Sequence, residues 1–258
     1  MRVPTMAEMM ANGETPEILF WVGCAGSFDD RAKKITKAIV KILNKCEVNF
    51  AVLGTEESCS GDPAKRAGNE FTFQMQAMMN IEVLNAYEIK KIVTACPHCF
   101  NTLKNEYPEL GGNYEVIHHT QLIQDLINTG KLALEGGGTF KGKKITFHDP
   151  CYLGRHNQIY APPRELLEAS GCDVEEMPRN KERSFCCGAG GGRMWMEEKI
   201  GTRINLNRVD EAIDTGAEEV AVACPFCRVM VGDGMVARQS DVEVLDVAQI
   251  LLRSVKQQ

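Results

Sequence analysis

Nine of the eleven cysteines in this 258-residue chain stand in two parallel sets. The first is Cys24, Cys59, Cys96 and Cys99, and the second is Cys151, Cys186, Cys187, Cys224 and Cys227. Several thiolates brought together suit iron-sulfur clusters or zinc, not calcium or magnesium, which take oxygen ligands. Each set ends in a C-x-x-C, CPHC or CPFC, whose spacing lets both sulfurs turn toward one centre. Pro97 and Pro225 suit a first helical position, where a missing N–H costs little, and a helix N-terminus favours thiolate charge. Alone, CPHC also reads as a thioredoxin-type dithiol, but its recurrence as CPFC with the same partners favours metal.

The adjacent pair Cys186-Cys187 carries more information. Neighbouring side chains on an extended strand point to opposite faces, so both reach one site only where the backbone turns sharply. Gly188, Gly190, Gly191 and Gly192 supply that freedom. Five thiolates are one more than tetrahedral zinc or a cubane 4Fe-4S cluster needs, which predicts an unusual cluster or a ligand exchanged during turnover. Ser60 stands where the second set has Cys187, leaving four thiolates, the number for a conventional 4Fe-4S cluster or a structural zinc. The two sites should therefore differ.

The elements that must position these residues follow from a repeat. Cys24 to Cys151 and Cys59 to Cys186 each span 127 positions, and Cys96 to Cys224 and Cys99 to Cys227 each span 128. Gly61 with Gly188, Asn80 with Asn207, Val116 with Val244 and Gln121 with Gln249 keep that spacing, so the chain is a tandem duplication. We place a mobile lead at 1–15, a first α/β repeat at 16–130, a linker at 131–142 containing three consecutive glycines, and a second repeat at 143–258. In each copy an apolar run, ILFWV or KITFH, predicts a strand ending just before the first cysteine. An amphipathic helix follows, then a second strand (VNFAVL or DVEEM), and then the middle cysteines in a glycine-bearing turn. A long helical segment to Asn85 or Ile213 leads to a strand (KKIVTA or EEVAVA) ending at C-x-x-C, which opens a further helix, and a last strand and helix close the unit. Alternating strands and helices predict a mainly parallel α/β sheet with its ligands at the C-terminal strand ends, where all the cysteine groups fall. The two halves are expected to face a shared cleft.

Composition narrows the rest. A net charge of -6 argues against nucleic acid, which is bound by clustered Lys and Arg. No apolar run approaches the roughly 18 residues of a membrane helix, and no signal-type h-region follows Arg2, so we expect a cytoplasmic chain without a membrane span. GAGGG lacks the G-K-[ST] of a phosphate loop. Cys46 and Cys172 read as buried small hydrophobes, and Met75, Met78, Met79, Met194 and Met196 as core or interface filler. His148 and His156 flank Cys151 and are candidate catalytic proton carriers, with a structural role as the alternative. Arg155 and Arg193 could bind an anionic substrate or stabilise cluster charge, against plain surface charge.

The motifs ESCSGDPAKRAGNE, CPHCFNTLKNEYP, HDPCYLGRHN, SFCCGAGGGRMWMEE and ACPFC together resemble the cysteine-rich CCG domain of the heterodisulfide reductase family (its B and D subunits) and related iron-sulfur oxidoreductase subunits. The resemblance covers nearly the whole chain. It implies that Cys151, Cys186, Cys187, Cys224 and Cys227 hold a cluster, noncubane 4Fe-4S with five cysteine ligands in the best-understood relatives, and that Cys24, Cys59, Cys96 and Cys99 hold a second. Ser60 departs from relatives with two complete CCG motifs and sets apart the first copy. The resemblance further implies an oxidoreductase subunit of a cytoplasmic redox complex. Electrons would come from a ferredoxin-like iron-sulfur subunit, a flavoprotein or both, because the chain has no C-x2-C-x2-C-x3-C run of its own, and the chain itself could be attached to a membrane partner. They would pass to a disulfide or other acceptor at the five-cysteine site. The alternatives are the iron-sulfur subunit of a lactate or glycolate oxidase and a zinc-stabilised structural subunit, with zinc at one site.

Overall fold

The computed structural model describes residues 2–134 and 139–255. Each half is a four-stranded, fully parallel sheet, and the two are built to one plan. In the first, β1 (Ile18–Trp21) lies between β2 (Phe50–Ala51) and β3 (Lys91–Thr94), and β4 (Glu115–His118) is outermost, giving the order β2-β1-β3-β4. In the second, β5 (Lys144–His148), β6 (Asp173–Glu175), β7 (Glu219–Val222) and β8 (Glu243–Asp246) repeat it as β6-β5-β7-β8. The chain winds one way from the first strand and the other way from the third. The switch therefore falls between them, where a parallel sheet leaves its crevice at the carboxyl ends. The predicted tandem α/β architecture is what the chain adopts, although the predicted second strands shrink to two or three paired residues.

The helices of the first half are α1 (Met6–Ala11), α2 (Gly23–Phe28), α3 (Ala32–Lys45), α4 (Asp62–Arg66), α5 (Glu70–Ala86), α6 (Pro97–Asn101) and α7 (His119–Asn128). Those of the second are α8 (Ala161–Ala169), α9 (Ile204–Asp214), α10 (Pro225–Ala237) and α11 (Val247–Ser254). The apolar stripe Ile35, Ile39, Ile42 and Leu43 makes α3 strongly one-sided, and that face is buried. It packs on α11, while α7 packs on α8. Since α11 is the counterpart of α7 and α8 that of α3, these are the same contact made twice, as around a two-fold axis. Two apolar clusters result, each drawing residues from both halves, so that neither sheet has a core of its own. His119 Nε2 lies 3.1 Å from Asp246 Oδ1 across this junction, both side chains fully buried. The halves therefore close on each other along a packed seam where a shared cleft was expected.

Three expectations need correction. The N-terminal lead is a packed element: Thr5 and Glu8 form a reciprocal capping box on α1, Met6 and Met9 are buried, and Thr5 bridges Val52. Met75, Met78, Met79 and Met196 are not core filler, being 48%, 56%, 58% and 50% exposed. The helix expected to run up to Ile213 is short, and 188–203 are turns with one 3-10 segment at Arg193–Trp195. Of the predicted linker, residues 135–138, including the three glycines, lie outside the described residues; its flanks Leu132 and Phe140 are buried.

Because Met9 is 3% exposed within the apolar cluster that also holds Cys96 and Cys99, Met9→Ala should cost about 2–4 kcal/mol, read as a lower denaturant midpoint at unchanged slope. A loose lead would give no change.

A candidate metal centre at the seam

The first cysteine of each set sits in the turn leaving the first strand, Cys24 in α2 and Cys151 after β5. In the first half the Glu57 carboxylate fixes that turn by accepting from the backbone N–H groups of Val22 and Gly23, at 3.0 and 2.5 Å. The second half does it differently. Asp149, at the position of Val22, takes a two-pronged bond from Arg164, with Nη1 and Nη2 each at 2.8 Å, and another from the Lys181 N–H.

The middle cysteines rely on glycine. Gly61 and Gly188 have φ of +90° and +86°, and at this left-handed step each glycine's N–H donates to the thiol two residues back: Gly61 N to Cys59 Sγ at 3.5 Å, Gly188 N to Cys186 Sγ at 3.2 Å. A β-carbon there would meet Phe73 Cδ2 at 2.8 Å or Ile204 Cβ at 3.0 Å. The C-x-x-C pairs open α6 and α10 with Pro97 and Pro225 in the first turn, as their spacing predicted.

The nine sulfurs do not form two isolated groups. Cys24 hydrogen-bonds Cys59, Ser60 Oγ donates to Cys99 Sγ at 3.5 Å, and Cys99 is bonded to Cys96. Cys96 is in turn bonded to Cys224, its counterpart in the other half. From Cys224 the contacts run to Cys227, then to Cys187 at 3.4 Å between sulfurs, then to Cys186 and Cys151. Two symmetry mates that touch must lie beside the pseudo-two-fold axis, so the axis passes between Cys96 and Cys224. Cys46 and Cys172 are buried in the other apolar cluster, apart from this chain of sulfurs.

The electrostatics show what such a set needs. Three sulfurs are favoured as thiolates: hydrogen bonds from Cys151, then Cys187 and Gly188, bring Cys186 to about 2. A bond from Cys24 brings Cys59 to about 6. Burial opposes ionisation of Cys224, but bonds from Cys227 and Cys96 bring it to about 6. The other six are pushed up, Cys187 to about 12 by its bond to Cys186, and Cys24, Cys96, Cys99, Cys151 and Cys227 by bonds to neighbouring sulfurs and burial. Buried sulfurs this close cannot all be anions unless a cation supplies the opposing charge. An all-sulfur donor set of four or five fits an iron-sulfur cluster and, at the first set, zinc equally well.

Around the sulfurs, His148 reaches the site and His156 does not. A His148 ring nitrogen lies within 4.8 Å of Cys187 and Cys227 Sγ. His156 stacks on Tyr152, with ring centroids 4.3 Å apart and planes 4° off parallel. Arg155 and Arg193 are exposed, and Arg193 pairs with Glu198. Several residues at the site were not anticipated. Arg208, wholly buried, donates from Nε to His148 Nδ1 at 2.9 Å. His98 Nδ1 pairs with Asp62 Oδ2 at 2.9 Å, its ring 4.3 Å from that of Tyr152 of the other half. Asn80 reaches from α5 to the Cys59 carbonyl and to Tyr107 Oη. The Asn80–Asn207 identity in the repeat does not mark the last of these, since Asn207 is exposed and accepts from Arg179, and nothing local marks the burial of Arg208.

The family model described as "CCG: Cysteine-rich domain" matches twice, over residues 18–104 and 145–232. A Bacillus subtilis protein named "Probable iron-sulfur-binding oxidoreductase FadF" is 46% identical over 98% of this chain and 36% of its own length. The EtfAB:quinone oxidoreductase of Syntrophomonas wolfei is 46% identical over 95% of this chain and 35% of its own. The D subunit of the dihydromethanophenazine:CoB--CoM heterodisulfide reductase of Methanosarcina barkeri is 36% identical over 91% of this chain and 58% of its own. The chain thus spans about a third of the first two relatives and somewhat over half of the third. Among the described residues no helix is long and apolar enough to cross a membrane.

Two outcomes follow from the geometry. Gly188→Ala forces a side chain into a left-handed step against Ile204, and should lower metal content at the second set while leaving the first set loaded, as read by metal analysis of the purified variant. Burial, then the Arg208 charge, push His148 from 6.5 to about 3, so below about pH 6.5 the unfolded chain binds a proton the folded chain refuses. Metal-free protein should therefore lose stability as pH falls from about 6.5 toward 3. His148→Phe should flatten part of that slope in denaturant midpoints measured across the range.

Proposed function

This chain belongs to the cysteine-rich CCG domain family in both of its halves, and from that premise we propose that it is the iron-sulfur electron-transfer unit of a larger oxidoreductase. The observation that carries the reading is the line of contacts from Cys24 to Cys151, sulfur to sulfur except where Ser60, next to Cys59 in the chain, reaches Cys99, which crosses between the halves at the Cys96–Cys224 pair. Cys24, Cys59, Cys96 and Cys99 would hold one 4Fe-4S cluster, and Cys151, Cys186, Cys187, Cys224 and Cys227 a second, with the surplus thiolate fitting a noncubane form. Such clusters supply one-electron transfer at potentials set by charge, hydrogen bonds and solvent exposure.

The protein's own residues do the remaining work. Burial of Cys96, Cys99, Cys187, Cys224 and Cys227 excludes water from the centre of the path. Cys24, Cys59, Cys151 and Cys186, less buried, line its two ends. The four-cysteine end receives electrons from a ferredoxin-like or flavin partner, and the five-cysteine end meets the acceptor, a disulfide or another oxidant. The names of the relatives, a quinone oxidoreductase and a component of a heterodisulfide reductase, support acceptors of those two kinds. The unit functions on the cytoplasmic side, alongside its partner.

Anaerobic purification tests the reading. Iron, labile sulfide, a brown colour and an EPR signal are expected, and Cys187→Ser should alter the signal of one centre only while abolishing turnover with the acceptor. A colourless protein with stoichiometric zinc would overturn it in favour of a structural role.

A further inference from the structure

In each half the strand that leads to the first cysteine ends on an aromatic ring bearing nitrogen, Trp21 on β1 and His148 on β5, 127 positions apart. Both rings are buried, at 0% and 1% exposure. In each, one ring nitrogen, Trp21 Nε1 or His148 Nε2, has no hydrogen-bond partner among the described residues. Buried polar groups are nearly always partnered, so two orphans at matching positions of a duplicated fold call for a shared kind of acceptor.

The protonation of both nitrogens follows from their surroundings. An indole nitrogen can only donate. For His148, Arg208 Nε donates to Nδ1 at 2.9 Å, and because a guanidinium has no acceptor, Nδ1 must be bare and the imidazole proton must sit on Nε2. Arg208 is held in turn by its Nη1, which donates to Arg179 O at 2.9 Å and Glu211 Oε2 at 2.8 Å. The tautomer is therefore locked from outside the site. A His148 ring nitrogen within 4.8 Å of Cys187 and Cys227 Sγ would also suit a metal ligand. Ligation through Nε2, however, requires losing its proton, and ligation through Nδ1 requires losing Arg208. Trp21 lies in one apolar cluster with Cys96 and Cys99.

We propose that Trp21 and His148 are paired N–H donors, each giving its ring proton to a sulfur of the metal centre held by its own half, and that exchanging indole for imidazole helps set the two centres at different potentials. This rests on the iron-sulfur reading above. A donor aimed at sulfur stabilises the more negative, reduced state and raises the potential. Both are positioning residues acting through the sulfurs, with no contact to the acceptor required.

Redox titration of the iron-loaded protein, followed by EPR, tests this. Trp21→Phe should shift the four-cysteine centre alone to lower potential, and His148→Phe the five-cysteine centre alone. His148→Gln, which keeps an N–H at similar reach, should recover most of the second shift. Wild-type protein labelled with 15N-histidine should show the weak hyperfine coupling of a nitrogen one hydrogen bond away from the five-cysteine centre, a measurement that stands even where a variant fails to hold iron. Unmoved potentials in both variants, both centres shifting together in either, or the strong coupling of a directly bound nitrogen would overturn the inference. Absence of iron from the wild type would instead overturn the reading on which it rests.

Discussion

Nine sulfurs brought together in the interior of a protein repel one another as anions, and the fold is organised around that difficulty. Each thiol in the run leans on a neighbour, so that a proton shared across one pair is withheld from the next; Cys186, Cys59 and Cys224 hold charge at the expense of the others. Metal centres held by the two sets would replace this compromise by supplying the opposing positive charge. The glycine turns at 61 and 188, the proline-started helices and the carboxylates that pin each first turn all serve to keep the sulfurs facing inward.

Packing converts that local demand into global architecture. The edges of the sheets where the cysteines emerge are also the edges where the halves meet, so the chemistry lies at the seam and not on an outer surface. Gly190 and Gly191 of the second half lie against His98 and Arg66 of the first. The long helices on the far side, α3 with α11 and α7 with α8, complete the union. Each half thus supplies part of the enclosure around the other's thiols, and residues such as Tyr152, whose ring rests on His98, belong to both sites.

Much of this was legible in the primary structure because the repeat gives two readings of every element. Strands ending before Cys24, Cys96 and Cys224 stand out as short apolar runs, and Pro97 and Pro225 mark helix starts. What is not legible depends on contacts distant in sequence. Arg208 sits in NLNRVDEAID, which reads as a solvated helix face, yet it is buried because His148 and the Arg179 carbonyl converge on it from two distant segments, with Glu211 one turn along its own helix. The N-terminal helix is readable, since Thr5 and Glu8 have the capping-box spacing, but its burial depends on Val52 and the sheet edge beside it. The exposed methionines of α5 show the opposite failure: an apolar helix reads as a buried one, whereas only the face bearing Phe73, Ala77, Ile81 and Leu84 turns inward.

The exchange of Ser60 for Cys187, and of Trp21 for His148, has a further consequence when set beside the Cys96–Cys224 contact. Two identical subunits meeting on a true two-fold axis would present the same site twice, and an electron would gain nothing by moving from one to the other. Joining the copies in one polypeptide frees each to diverge, so the axis no longer relates equals. With a cluster in each half, as proposed, the duplication would create a gradient: a path with an uphill and a downhill end, written into a molecule whose backbone still has the symmetry of a pair.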